Sequence, residues 1–261
     1  MIDISNTKIM KTNKIPNFFI VGAQKAGTTS LYEYLKEHPE IYMSPVKEPH
    51  YFAKDLDYEN MRRDMKRTTI FIRTLEEYLE LFNGVKNEKA IGEASPSYLY
   101  SKVAAYEIKK FNPDAKVIMI LRDPVERAYS HYLMNLRDGL TSEKDFIKEV
   151  LSDLKKPKKG WGISHLYIEL GLYYEQVKRY LDTFPKDNVK ILLYEDFKLN
   201  TYEVIKDIFS FLGVENNFYS PKFEHIFMEG VTVKYPKLNK LLKMIYSDYK
   251  NYTDPHREWT R

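Results

Sequence analysis

The chain has 261 residues, 30% of them charged and 43% hydrophobic, and a net charge of +4. This is an ordinary globular composition, long enough for one large α/β domain and too weakly basic to argue for nucleic acid or a membrane surface. There is no cysteine, which excludes disulfides, thiolate catalysis and cysteine-based zinc sites.

Met1–Asn17 is polar and lacks an apolar core, so it does not read as a signal peptide. No apolar run reaches the roughly 18 residues of a membrane span. A cytoplasmic enzyme without a membrane span is the expectation, with residues 1–16 as an N-terminal extension. Phe18–Val21 has the length of a buried strand. Gly22–Gly27 follows as a loop, and Thr28, Thr29 and Ser30 open an amphipathic run through Leu31, Tyr34 and Leu35. Strand, glycine loop and helix start form the arrangement that cradles phosphate: backbone N–H groups face the anion and the helix dipole favours it. A triphosphate-binding loop places lysine directly after its second glycine. Here Lys25 precedes Gly27 by two residues and Thr28 takes the lysine position. That displacement points to a phosphate-bearing donor handled without a metal.

His38-Pro39 stops the first helix, and Ile41–Met43 reads as a short strand. Pro45 and Pro49 force Ser44–Phe52 into an extended loop. Lys54–Arg73 is a basic surface excursion. Leu75–Phe82 has helical spacing. Ala90–Gly92 is a short strand leading into Glu93-Ala94-Ser95-Pro96-Ser97-Tyr98. Val103–Phe111 is a helix, stopped by Asn112-Pro113-Asp114. Lys116–Leu121 is apolar on both faces, as a central parallel strand should be. Arg122 follows at once, with Asp123 as N-cap and Pro124 in the first turn of a helix reaching about Arg137. Phe146–Leu154 is a further helix and Lys155–Lys159 a basic loop, open to solvent or to an acidic acceptor. Leu166–Leu181 is helical with an interruption at Gly171. Val189–Tyr194 is a strand, Glu195–Phe197 a turn, and Val204–Leu212 a helix ended by Gly213. Residues 214–235 read as irregular, Leu238–Tyr246 as a last helix and 250–261 as a flexible tail. The alternation predicts an α/β chain: a three-layer P-loop-like fold with a central parallel sheet flanked by helices, residues 1–261 forming a single domain. Ligand is expected beyond the carboxyl ends of the strands.

Two stretches leave such ends. In the second, Ser130 lies eight residues after Arg122, about two helical turns on. An arginine offers a planar fork for phosphate and a serine a hydroxyl donor. Arg122 is equally suited to an ion pair with Asp123 or Glu126. Glu48 could pair with Lys47 on an exposed loop, and His50 could cap a core edge. The six histidines show no metal-ligand spacing.

Gly22-Ala-Gln-Lys-Ala-Gly-Thr-Thr-Ser30 resembles the 5′-phosphosulfate loop of sulfotransferases that use 3′-phosphoadenosine-5′-phosphosulfate (PAPS), the heparan-sulfate-type and bacterial members above all. The stretch from Arg122 to Ser130 resembles their 3′-phosphate motif. The resemblance covers about Asn17–Leu212. It implies PAPS as co-substrate, adenosine 3′,5′-bisphosphate (PAP) as product and no metal. Lys25, Ala26, Gly27, Thr28, Thr29 and Ser30 would take the 5′ end, and Arg122 and Ser130 the 3′-phosphate. Lys47-Glu48-Pro49-His50-Tyr51-Phe52 resembles the family segment in which a glutamate is general base and a histidine assists. Those roles fall on Glu48 and His50, with Lys25 stabilising the leaving phosphate. In the segment beginning at Glu93, Ala94 stands where relatives have a lysine that reaches the acceptor, which puts that contact in doubt. Gly230–Pro236, with Lys234, is a poor match to the loop that closes over the 3′-phosphate, and Tyr194 matches a position near the adenine. The implied acceptor is a hydroxyl or amine of a small molecule or glycan. A P-loop kinase and a catalytically silent nucleotide-binding protein remain as alternatives.

Overall fold

The structure, a computed structural model, describes residues 15–56 and 72–224. Most of the N-terminal extension and of the basic excursion, the loop containing Lys234, the helix expected at Leu238–Tyr246 and the expected tail lie outside the described residues. Residues up to 55, 72–123 and 172–224 form one compact unit, and residues 56 and 124–171 belong to a second.

The first unit is built on five strands: β1 (Phe18–Gly22), β2 (Ile41–Met43), β3 (Ala90–Ala94), β4 (Lys116–Leu121) and β5 (Val189–Leu193). They make one sheet in the order β2-β3-β1-β4-β5, and every pairing is parallel. β1 and β3 are buried along their whole length, since both faces of a parallel sheet need cover; this accounts for the apolar run of β1, while β3 carries Glu93 among apolar residues. The helices of this unit are α1 (Thr28–Leu35), α2 (Leu75–Glu80), α3 (Ser97–Tyr100) and α4 (Ala104–Phe111). After α5 (Pro124–Asp138) and α6 (Phe146–Leu154), which belong to the second unit, come α7 (Tyr173–Thr183), α8 (Tyr194–Leu199) and α9 (Thr201–Leu212). α1 packs on α9, α4 on α7, and both α1 and α3 contact β1.

From β1 the chain moves outward through α1 to β2, whereas from β4 it moves to β5 on the other side. β1 and β4 are neighbours, so their carboxyl ends flank the point where strand order reverses, the favoured ligand position in such sheets. Backbone hydrogen bonds bind the loops leaving these ends. Ala23 N–H donates to the Ile120 carbonyl at 2.7 Å and Ser95 N–H to the Ile20 carbonyl at 3.0 Å. The glycines here are set by contact. A Cβ on Gly92 would stand 2.3 Å from the Phe18 ring, and one on Gly22 would stand 2.6 Å from Leu99 Cβ of α3.

The second unit packs α5 against α6 around Ala128, Tyr132 and Tyr167, with Leu133, Leu136, Phe146 and Val150 at its rim. Pro124 is the first residue of α5, where its missing N–H costs nothing. Asp145 caps α6 through its side chain. Buried Asp153 accepts the His165 and Leu166 N–H groups, both at 2.8 Å, and meets Lys156 at 3.2 Å. Lys159 pairs with Glu169 at 2.8 Å. Two lysines of the basic loop thus anchor the loop itself, while Lys155 and Lys158 face solvent.

Several elements differ in detail from the sequence reading. β3 continues through Glu93 and Ala94, because hydroxyl partners satisfy a carboxylate that would otherwise leave the sheet. Glu195–Phe197 lies inside helix α8 rather than a turn. The run from Leu166 divides into a 3₁₀ turn at Glu169–Gly171 and α7 from Tyr173.

Gly92→Ala is expected to cost about 1–3 kcal/mol through overpacking against Phe18. Gly213 has open space around its Cβ position and a φ of +80°, so Gly213→Ala should lose only the roughly 1–2 kcal/mol of left-handed backbone. Urea midpoints at equal slope check the contrast. A Gly92→Ala midpoint equal to wild type would contradict the packing argument.

Candidate active site

α1 begins directly after Gly27, whose backbone is left-handed at φ 93°. Gly27 supplies no side-chain cap and the first turn holds no acidic residue. By contrast, α2 carries a Thr74–Glu77 capping box. A helix start of this kind presents its first amides and its positive dipole end to an anion. Glycine is needed at position 27 on two counts, the positive φ and a Tyr194 ring 3.2 Å from where a Cβ would stand. Arg122 faces the same loop. Its Nη1 donates to the Lys25 carbonyl at 3.4 Å, and its guanidinium carbon stands 4.6 Å from the Tyr194 ring centroid, a cation–π distance. Tyr194, at the start of α8, braces both the loop and the arginine.

Beyond β2, the loop of Ser44–Phe52 lies along β3. Ser44 N–H donates to the Gly92 carbonyl at 2.8 Å and Glu48 N–H to the Ala94 carbonyl at 3.0 Å. Glu48 Oε1 meets Lys47 Nζ at 2.5 Å, and its Oε2 lies 3.8 Å from His50 Nε2. The pairing with Lys47 expected of an exposed loop is therefore present, but the same carboxylate also faces the histidine. The Glu48 side chain keeps 37% exposure, while that of His50 keeps 4%. Loss of water raises the Glu48 pKa, but Lys47, His50 and Lys25 together outweigh it and hold the carboxyl below its ordinary range. Burial pushes the His50 imidazole down, against the pull of Glu48. At neutral pH this gives an ionised carboxylate beside a neutral imidazole, whose Nδ1 is 2.6 Å from Ser97 Oγ.

Among the described residues, four other than glycine have a positive φ: Lys25 at 68°, Glu48 at 63°, His50 at 56° and Leu166 at 56°. Such backbone is sparsely populated and concentrates where function over-determines it. Three of the four are the residues that the sequence singled out for chemistry.

The structure adds a group that sequence reasoning passed over. Glu93 is wholly buried and accepts three hydroxyls: Tyr98 at 2.6 Å, Ser95 at 2.7 Å and Tyr78 at 3.1 Å. Burial pushes its pKa up to about 7 against these hydrogen bonds, with the Glu48 charge adding to the rise. The sequence signal was a carboxylate inside an apolar strand followed by two serines and a tyrosine. Of the other expected residues, Ala26, Thr28 and Ser30 are buried at the loop and first turn of α1, and Thr29 is half-buried. Ser130 is half-buried on α5, in the second unit. Among the described residues no cluster of His, Asp and Glu is suited to a metal ion.

A carboxyl whose folded pKa is raised binds a proton more tightly when folded. Its favourable contribution is complete below the ordinary carboxyl range and is lost as pH rises to about 7. The stability of wild type relative to Glu93→Gln is therefore expected to fall by about 3 kcal/mol between pH 4.5 and 7.5. Urea titrations of both proteins at several pH values measure it; a constant difference would contradict it.

Residues 16–254 match the family described as the sulfotransferase domain. Mouse carbohydrate sulfotransferase 15 is 29% identical over 250 residues, covering 77% of this chain and 44% of the relative. The Dictyostelium discoideum membrane-associated sulfotransferase kil1 is 35% identical over 123 residues, 47% of this chain and 24% of the relative. The chain thus spans less than half the length of these curated relatives. Among solved structures, a sulfotransferase from Alicyclobacillus acidocaldarius superposes with a TM-score of 0.74 at 35% identity, over 90% of this chain and 92% of that one. A mouse sulfotransferase complexed with PAP shares the fold, at a TM-score of 0.50 and 18% identity, over 92% of this chain and 79% of that one. No helix among the described residues is long and apolar enough to cross a membrane. The cytoplasmic placement expected from composition is not carried by these relatives, one of which is named membrane-associated. The central parallel sheet, the phosphate loop and the extent of the match lead to one conclusion: this chain belongs to the sulfotransferase domain family.

Proposed function

We propose that the chain is a PAPS-dependent sulfotransferase acting on a hydroxyl or amine, with a carbohydrate as the favoured acceptor class. The observation that carries this reading is the shared left-handed backbone of Lys25, Glu48 and His50, in a unit that also sets Arg122 against the phosphate loop. The acceptor class is supported by the names of the relatives, carbohydrate sulfotransferase 15 and heparan sulfate glucosamine 3-O-sulfotransferase 3B1 among them.

The residues present fit a bis-phosphorylated donor. The uncapped start of α1 and Lys25 suit the 5′-phosphosulfate, and Arg122 at the end of β4 suits a second phosphate. Glu48 is ionised and partly exposed, as a base must be. In the proposed step Glu48 takes the proton of the acceptor hydroxyl, whose oxygen bonds to sulfur. The sulfur–oxygen bond to the 5′-phosphate breaks on the opposite side, and Lys25 balances the charge left on that phosphate. The sulfuryl group moves intact, and neither metal nor redox chemistry enters the balance. His50, neutral and held by Ser97, orients the Glu48 carboxylate. Ala94, standing where relatives have a lysine, removes one cation from the acceptor side, so the acceptor's own anionic groups contribute less to recognition here.

Lys25→Ala and Arg122→Ala are each expected to weaken binding of adenosine 3′,5′-bisphosphate by tenfold or more, the usual scale for a charge-assisted contact. Glu48→Gln should leave that affinity within twofold and lower turnover by about 10²–10⁴-fold. Calorimetry reads the first pair. Transfer of labelled sulfate from PAPS to a panel of sugars and small alcohols reads the second. Undiminished turnover in Glu48→Gln would remove the base assignment. Magnesium-dependent ATP binding would favour a kinase, and PAPS binding without transfer a silent binder.

A further inference from the structure

The buried Glu93 carboxylate has no part in the chemistry above, yet it terminates two hydrogen-bond relays that begin on the Glu48–Phe52 loop. In the first, His50 N–H donates to Ser95 Oγ at 3.1 Å, and Ser95 donates its proton to Glu93 Oε2 at 2.7 Å. In the second, Phe52 N–H donates to the Tyr98 hydroxyl at 3.3 Å, and Tyr98 donates to Glu93 Oε1 at 2.6 Å. A third contact works through packing. The Tyr51 ring stacks on Tyr78 at 4.6 Å between centroids and 16° between planes, and the Tyr78 hydroxyl donates to Glu93 Oε1 at 3.1 Å.

We propose that Glu93 is a positioning residue, holding the Glu48–Phe52 loop in its active conformation by orienting the hydroxyls of Ser95 and Tyr98 toward itself. The argument is directional. A serine or tyrosine hydroxyl has one proton, and the Glu93 carboxyl, which takes three hydroxyl donors here, only accepts in its ionised form, the form that predominates above pH about 7. With both protons committed to Glu93, the oxygens of Ser95 and Tyr98 are left as acceptors, and the amides of His50 and Phe52 are the donors that meet them. A neutral carboxamide at position 93 breaks this order, since its N–H₂ must face one of the two hydroxyls. That hydroxyl turns its proton elsewhere and its backbone partner is lost. The left-handed backbone of Glu48 and His50 makes the loop sensitive to such a loss, because a conformation of this kind persists only while its surroundings impose it.

The proposal rests on the sulfotransferase reading for its kinetic consequence but not for its structural one, so the test has two arms. In the first, amide exchange of the isotope-labelled full chain is followed by NMR. Glu93→Gln should speed exchange at His50 and Phe52 at least tenfold while strands β1 and β4 keep their protection. Ser95→Ala should speed His50 and leave Phe52 protected. In the second arm, kcat for sulfuryl transfer in Glu93→Gln should fall tenfold or more, while its affinity for adenosine 3′,5′-bisphosphate stays within twofold of wild type. Unchanged exchange at His50 and Phe52 overturns the proposal. A uniform rise across the sheet with matching loss of affinity marks a destabilised fold, and Ser95→Ala, touching one relay alone, then decides: faster exchange at His50 with Phe52 still protected supports the proposal, and unchanged exchange at His50 overturns it. A wild-type chain that binds PAPS and transfers nothing sinks the functional reading, and the exchange arm still decides the anchoring.

Discussion

Backbone amides donating across strand ends hold the first unit's working edge together. Ala23 reaches the carbonyl of Ile120, Ser95 that of Ile20 and Glu48 that of Ala94. Each bond ties a loop to a neighbouring strand rather than to its own. The loop after β1 is thereby fixed to β4, the segment after β3 to β1, and the loop after β2 to β3. Because all five strands run parallel, their carboxyl ends lie along one edge, and short loops suffice to bring the Gly22–Gly27 loop, Arg122 and Glu48 to that edge. None of these loops needs a core of its own. Key amides of these loops are satisfied by neighbouring strands, and others by side chains such as Ser95 and Tyr98, which is the condition for irregular chain to be held in place.

Within that edge, two carboxylates have been driven apart in basicity by their surroundings. Glu48 keeps partial access to water and sits among Lys47, His50 and Lys25, so its charged form is favoured. Glu93, a short distance along the loop's anchor strand, is wholly buried among three hydroxyl partners, so its charged form is resisted. Unequal environments of this kind assign unequal tasks to like groups. The exposed member is suited to exchange protons with an acceptor, and the buried one to hold fixed hydrogen bonds. The division is built from the hydroxyls of Ser95, Tyr98 and Tyr78 around Glu93 and from Lys47, His50 and Lys25 around Glu48.

Much of this was legible in the sequence because it is local. The apolar run of Lys116–Leu121, the loop of Gly22–Gly27 and Pro124 at a helix start each carry their meaning within a few residues, and the strands and most helices fall where those patterns place them. What was not legible depends on distant partners. The strand at Ala90–Gly92 runs on through Glu93, a charged residue type seldom found in a buried strand. Only the arrival of Tyr78 from α2 and Tyr98 from α3 makes it tolerable. Glu195 and Asp196 looked like turn residues, yet α8 starts at once from the end of β5, with both acids in its first turn, where they complement the helix dipole. Two prolines showed that the Ser44–Phe52 loop is extended, but no residue type announces a left-handed glutamate or histidine. Ser130 drew its meaning from a resemblance, and its position on α5 follows from helical spacing alone.

The torsions of Lys25, Glu48 and His50 carry a consequence for anyone who would engineer this chain. Each holds an L-residue in backbone that glycine adopts freely, at a cost of roughly 1–2 kcal/mol apiece. Selection for heat tolerance alone will therefore drift toward glycine at these three places, and the hardiest descendants of such a selection will be the ones that have lost the side chains proposed here for the reaction.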